Sequence, residues 1–171
     1  MARRYSDASY ENVQLDSFVA HACSPVPDDP SFRGIRIAAP NEVYFTPGEP
    51  DSRSGAFATI PVCGVSVFEP GQTRQADDAP SSIVFVAVDT ETHEAFSGVP
   101  YAPFNLTPGP RPPGPAGIAG RERSVGSIRS YFNPNLARIL KLPERAASYD
   151  VYATIGSYKS NVVRIRVAVM K

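Results

Sequence analysis

The chain predicts an all-β fold, a single antiparallel β-sandwich, and three features carry that prediction. From Phe32 onward the apolar runs are short, and Gly, Pro, Asn or Asp interrupts them at nearly even intervals. The 18 prolines and 12 glycines exceed ordinary usage, whereas helix-favouring runs of Ala, Glu, Lys and Leu are scarce. The closing stretch, SYDVYATIGSYKSNVVRIRVAVMK, alternates apolar and polar residues with a period of two. With 171 residues one domain can bury about two thirds of its unfolded surface, so a core forms without staples.

Residues 1–31 are polar and irregular, and Pro25, Pro27 and Pro30 exclude both helix and central strand there. This part reads as an N-terminal arm that either frays or lies along the domain, which then spans 32–171. Strand-length runs follow in FRGIRIAA, NEVYFTPG and AFATIPVCGVSVFEPG. IVFVAV (83–88) is apolar at every position and predicts a central strand covered on both faces. DTETHE (89–94) reads as the hairpin connection back to AFSGV. Residues 99–120 hold seven prolines and four glycines, so polyproline II or turns are expected in a loop too long for a routine connection.

Order resumes at GSIRSYF, where Ile128, Ser130 and Phe132 alternate with Ser127, Arg129 and Tyr131. The period then changes: Asn133 is the expected N-cap, Pro134 the first helical residue, and Leu136, Ile139 and Leu140 share one face. One short helical turn is expected, stopped by Pro143. In the closing hairpin Tyr149, Val151, Ala153 and Ile155, with Val163, Ile165, Val167 and Val169, face the core, leaving Arg164 and Arg166 on a wet face.

The stretch LPERAASYDVYATIGSYKSNVVRIRVAV resembles the last two strands of immunoglobulin-like and fibronectin type III-like sandwiches, with a Tyr-x-hydrophobic start, a small-residue turn and a Ser-Asn entry to the final strand. The resemblance implies that Tyr149 is a corner tyrosine whose hydroxyl bonds to nearby backbone. Val151 stands where antibody domains carry their second cysteine, and the chain has no tryptophan. The resemblance therefore implies the architecture rather than antibody-type packing, and this architecture hosts unrelated functions.

Lys and Arg total 17 and Asp and Glu total 17, so no global field draws in nucleic acid, and no basic stripe with interleaved aromatics is present. No run of about 18 apolar residues predicts membrane insertion. The start has Arg3 and Arg4 but no apolar segment behind them, which implies a cytoplasmic protein if Met1 is the natural start; if Met1 replaces a removed leader, an extracytoplasmic location follows. Cys23 and Cys63 read first as unpaired thiols, with a single disulfide as the alternative.

Candidate chemistry is sparse. His21 and His93 are the two histidines, one in the arm and one in a hairpin turn, and no Gly-x-Ser-x-Gly elbow occurs, so a hydrolytic enzyme is the weakest of three functional readings. No cofactor motif appears. Asp89, Glu91 and Glu94, with His93, gather in one turn as weak cation candidates, but the glycine and terminal acid of an EF-hand loop are missing. Asn105-Leu106-Thr107 fits a glycosylation sequon and is read as chance. For partner binding, PGPRPPGP (108–115) offers Arg111 and Pro112 in a stiff ligand for an aromatic groove, and the wet face of the hairpin offers Tyr152, Tyr158, Arg164 and Arg166. The expected function is a non-catalytic interaction or structural module that binds a protein partner or self-associates. The alternative is a carbohydrate-binding module stacking sugars on Tyr101, Phe104, Tyr131 or Tyr158.

Overall fold

A computed structural model describes residues 4–72, 82–100, 122–124 and 126–170, the segment 122–124 as backbone. The expected all-β sandwich is observed: two sheets pack together, one ordered β1-β3-β7-β6 and the other β2-β10-β8-β4-β5, with β9 paired to β8. The first sheet comprises β1 (Gly34–Ala38), β3 (Cys63–Phe68), β6 (Glu122–Ser124) and β7 (Ser127–Phe132). The second comprises β2 (Glu42–Phe45), β4 (Val84–Asp89), β5 (Ala95–Gly98), β8 (Ala147–Ile155), β9 (Tyr158–Lys159) and β10 (Val163–Val169). Neighbours run antiparallel except β2 and β10, which are parallel. A short helix, α1 (Leu136–Ile139), lies between β7 and β8.

Alternation along each strand builds the core. Ile35 and Ile37 of β1 and Phe132 of β7 meet Phe85, Tyr149, Val151 and Ile165 of the second sheet, all at most 3 % exposed. Phe85 and Phe132 pack edge to face with centroids 6.0 Å apart. Phe132 lies across β3 at Gly64, where a Cβ atom would overlap its ring. The closing hairpin forms with Tyr149, Val151, Ala153, Ile155, Ile165 and Val167 buried and Val163 partly buried, but Val169, expected in the core, is exposed because β10 runs past the end of β8, whose pairing stops at Val167. A left-handed Gly156 turns β8 into β9 before β10 begins.

The strand covered on both faces is β3, not IVFVAV. Every residue of β3 is buried, because Phe32 packs on Val65, Val67 and Tyr131 on its outer side. In β4 burial alternates, with Phe85, Ala87 and Asp89 inward and Val84, Val86 and Val88 half-exposed. Continuous apolarity misled here because valine also suits the outer, pleated face of a sheet.

The arm lies along the domain. Its residues 4–6 pair with the outer edge of β2: Tyr44 N–H donates to Arg4 O (2.9 Å), Ser6 N–H donates to Glu42 O (3.2 Å), and Tyr5 bridges Val43. Tyr5, Tyr10 and Val13 are buried, and Arg53 donates to Tyr5 Oη (3.2 Å) and Val13 O (2.8 Å). Further on, Cys23 is joined to Cys63 in a disulfide, correcting the expectation of free thiols. The two Cα atoms are 5.8 Å apart across a separation of 40 residues. Sequence spacing gave no sign of this, because the arm's return over β3 is purely tertiary.

The helix start also differs from expectation. Asn135, not Asn133, is the N-cap, its Oδ1 accepting from Ala137 N and from Ile60 N (2.8 Å). Asn133 is fully buried and holds the arm instead, its Nδ2 donating to Ser17 O (3.2 Å), Ser17 Oγ (3.0 Å) and Val19 O (2.9 Å). The corner-tyrosine bond is likewise not made. Tyr149 Oη is buried with no hydrogen-bond partner among the described residues, and burial raises its pKa while the neighbouring Arg145 pulls it back.

Candidate functional site

Because Ala87, Val151 and Ile165 point into the core, their strand neighbours form the outer face of the larger sheet. One strand in from the β5 edge, β4 presents Val84, Val86 and Val88, half-buried, with Tyr152 of the middle strand β8 directly opposite Val86. Lys159 Nζ lies 3.9 Å from the centroid of the Tyr152 ring, a cation–π contact that fixes both side chains. Charged pairs border this strip on its β10 side. Arg164 grips Asp150, opposite it in the β10–β8 register, through Nε–Oδ1 at 2.7 Å and NH2–Oδ2 at 2.8 Å. Hydrogen bonding from that guanidinium, helped by its charge, lowers the Asp150 pKa. Arg166 reaches Glu42 of β2 at 3.1 Å, and Glu42 also accepts from Tyr44 Oη at 2.6 Å; the Tyr44 bond and then Arg166 lower the Glu42 pKa. Pairs this exposed contribute little to folding, so their larger effect is to hold charge in a defined pattern. Between them lies an open groove of about 560 Å³ lined by Ser6, Asn41, Glu42, Ser148, Arg164 and Arg166.

Of the four hairpin residues singled out in the sequence, the structure thus gathers Tyr152, Arg164 and Arg166 on one face. Tyr158 is elsewhere: its ring packs edge-on to Phe68 at 5.0 Å and its hydroxyl accepts from Gln72, closing the side of the sandwich beside β1. Arg111, Pro112, Tyr101, Phe104 and the Asn105 sequon lie outside the described residues. Sequence reasoning missed Val84, Val86 and Val88 as surface residues and missed Glu42 and Asp150 as the arginines' partners. The acidic partners were findable from the strand register; the valines were not.

The acidic turn is built around its own backbone. Asp89 is 2 % exposed, and its Oδ1 accepts from Glu91 N (2.9 Å) and Thr92 N (3.0 Å), while Oδ2 accepts from Arg145 (2.9 Å). Those two N–H groups, and then Arg145, hold the Asp89 pKa below the usual carboxylate value. Glu94 also approaches Arg145, at 3.6 Å, and His93 takes the left-handed turn position. Among the described residues no group of three or more His, Cys, Asp or Glu is arranged to hold a metal ion.

A hydroxyl–imidazole pair occurs in the arm, Ser17 Oγ lying 3.2 Å from His21 Nε2. The Ser17 hydroxyl donates to Gln14 O at 2.7 Å and accepts from Asn133. Its proton is therefore directed at a carbonyl rather than at the imidazole, the reverse of what an activated nucleophile needs. Tyr131 is buried against Val65 and Val67. No helix among the described residues is long and apolar enough to cross a membrane. No protein-family model, curated protein or solved structure matches the chain.

Proposed function

We propose that the chain is a non-catalytic interaction module that binds a protein partner through the outer face of its larger sheet. One observation carries this reading: an apolar strip of Val84, Val86 and Val88 on β4, with Tyr152 beside it on the middle strand, bordered on its β10 side by the Arg164–Asp150 and Arg166–Glu42 pairs. An apolar centre with an aromatic anchor and a charged rim is the anatomy of protein interfaces. The carbohydrate alternative is less well supported, because two of its stacking rings, Tyr131 and Tyr158, are engaged in packing.

The fold reading that accompanies it is an immunoglobulin-like topology. It is supported by the order β1-β3-β7-β6, which corresponds to strands A-B-E-D of that fold, and by β10-β8-β4-β5, which corresponds to G-F-C-C′. The buried Cys23–Cys63 bond favours the extracytoplasmic location, since disulfides persist in oxidising compartments.

The test is a comparison of partners recovered by cross-linking with the wild-type chain and with Val86→Asp and Tyr152→Ala. Truncating the anchoring tyrosine should weaken binding by roughly 30-fold or more, the effect of a hot-spot residue. Partners recovered equally by all three chains would refute the reading.

A further inference from the structure

The sheet edges of this sandwich are treated unequally. The β2 edge is covered by residues 4–6 of the arm. At β1, the Asn161 side chain stands in for a strand, its Oδ1 accepting from Ile37 N (3.0 Å) and its Nδ2 donating to Ile37 O (3.0 Å). The β5 edge has no such cover among the described residues. Asp89 N donates to Glu94 O, and the register pairs Ala87 with Phe96 and Phe85 with Gly98. Hydrogen-bonded pairs alternate along an antiparallel ladder, so residues 94, 96 and 98 turn their backbone groups toward β4. Ala95 and Ser97 turn theirs to the open edge, the same alternation carried one residue past the end of β5 does so for Val99, and all three are exposed. Of the protections usual on an exposed edge, this short stretch lacks lysine, an inward charge and a bulge. Pro100 ends it at a position whose N–H would have faced β4, so it blocks nothing on the open side.

We infer that β5 pairs antiparallel with β5 of a second copy of this chain, across a two-fold axis at Ser97, joining the two larger sheets into one. Paired residues must point to the same face, so the sum of paired numbers must be even. A centre at Ser97 satisfies this and sets Ser97 opposite Ser97 and Ala95 opposite Val99 of the partner copy. Every outward backbone group of 95, 97 and 99 then finds a complement, giving six inter-chain hydrogen bonds. A centre at Phe96 would give four from residues 95 and 97. The Ser97 register also answers the charge pattern, because Glu94 falls opposite Pro100 and its like-charged mate is displaced along the strand; parallel pairing would set Glu94 beside Glu94. Small side chains at 95, 97 and 99 leave room for the mate, and a self-complementary edge is what an isologous two-fold contact requires. This contact stands on the edge alone and is independent of what covers the valine strip.

The test is directed cross-linking. Both natural cysteines are paired, so an introduced thiol is the free one. In the inferred register two copies of Ser97→Cys have Cα atoms about 5.5 Å apart, within disulfide reach. Two copies of Ala95→Cys are displaced by four positions, roughly 14 Å. Mild oxidation should convert Ser97→Cys to a reducible dimer at least tenfold faster than Ala95→Cys, with peptide mapping placing the bond between the two introduced residues. Ser97→Lys opposes like charges at the axis and should lower the dimer fraction in sedimentation at least tenfold with an unchanged melting temperature. Equal cross-linking of the two cysteine variants, or a wild-type chain that is monomeric up to about 1 mM, overturns the inference. Neither result bears on the Tyr152→Ala comparison, which tests the outer face separately.

Discussion

The N-terminal arm and the closing hairpin bury similar side chains by opposite means. In the hairpin, Val151, Ile165 and Val167 reach the core because a continuous backbone ladder fixes the register and alternation does the rest. In the arm, Tyr5, Tyr10, Val13 and Cys23 are buried with one bridge and a single 3-10 turn, and side chains hold what the backbone does not: Arg53, Asn133 and the disulfide. A ladder is cooperative, so the hairpin should come apart with the whole domain. Discrete anchors can fail one at a time, so the arm should be able to leave first.

The largest expected effect tests the strongest anchor. Replacing both cysteines, Cys23→Ser with Cys63→Ser, removes the constraint on a 40-residue separation, worth about 4 kcal/mol by chain entropy. The arm should loosen ahead of the sandwich. Exchange of the Tyr44 amide, which is bonded to Arg4, should accelerate, while that of Ile165 in the hairpin stays slow. Equal acceleration at both would mean that arm and sandwich form one cooperative unit. The reciprocal experiment is Ile165→Ala. This side chain is 1 % exposed in the core, and its truncation should cost about 3 kcal/mol of global stability, speeding exchange of the Ile165 amide while that of Tyr44, which opens with the arm, changes little.

The same contrast explains how much the sequence revealed. The hairpin was legible down to its faces, except at Val169 beyond the β8 ladder, because strand geometry imposes a period of two on the residues themselves. The fold class followed from that period and from the punctuation. The arm carried no period, so neither its course over β3 nor the Cys23–Cys63 bond could be read. Asn133 is the sharpest instance: the Asn-Pro signal of a helix start was sound as local chemistry, but a tertiary demand from Ser17 and Val19 claimed that side chain and passed the cap to Asn135. At the candidate site Tyr152, Arg164 and Arg166 were readable as outward residues of a regular ladder. Tyr158 was not, because the left-handed Gly156 takes β9 off that alternation.

Asn133→Ala should follow in size. It removes the donor to Ser17 O and Val19 O and leaves those carbonyls without it inside the arm's contact, a cost of about 2 kcal/mol. Protease cleavage between Asp16 and Cys23 should speed up by more than tenfold, with the sandwich fragment remaining intact. Unchanged cleavage would mean that Arg53 and the disulfide suffice to hold this stretch.

The smallest effect appears only at alkaline pH, and it separates the two regions through their tyrosines. Burial raises the pKa of Tyr5 and of Tyr10 from 10 to about 12, and burial also raises that of Tyr149 on the hairpin's core face. The folded state favours the neutral phenol in each case. For Tyr5 and Tyr10 that contribution is complete below pH 10 and is lost as pH rises from 10 through about 12; for Tyr149 it is likewise lost as pH rises through the raised pKa. If the arm is an independently released element, Tyr5 and Tyr10 should ionise together while the Tyr149 ring is still packed against Phe96, whose centroid lies 6.1 Å away. Ring resonances followed by NMR across this window should show two steps, and Tyr5→Phe should remove a late-titrating phenol from the first. Ionisation of all three rings in one step would show instead that the arm's anchors, though discrete in structure, act as one unit with the ladder.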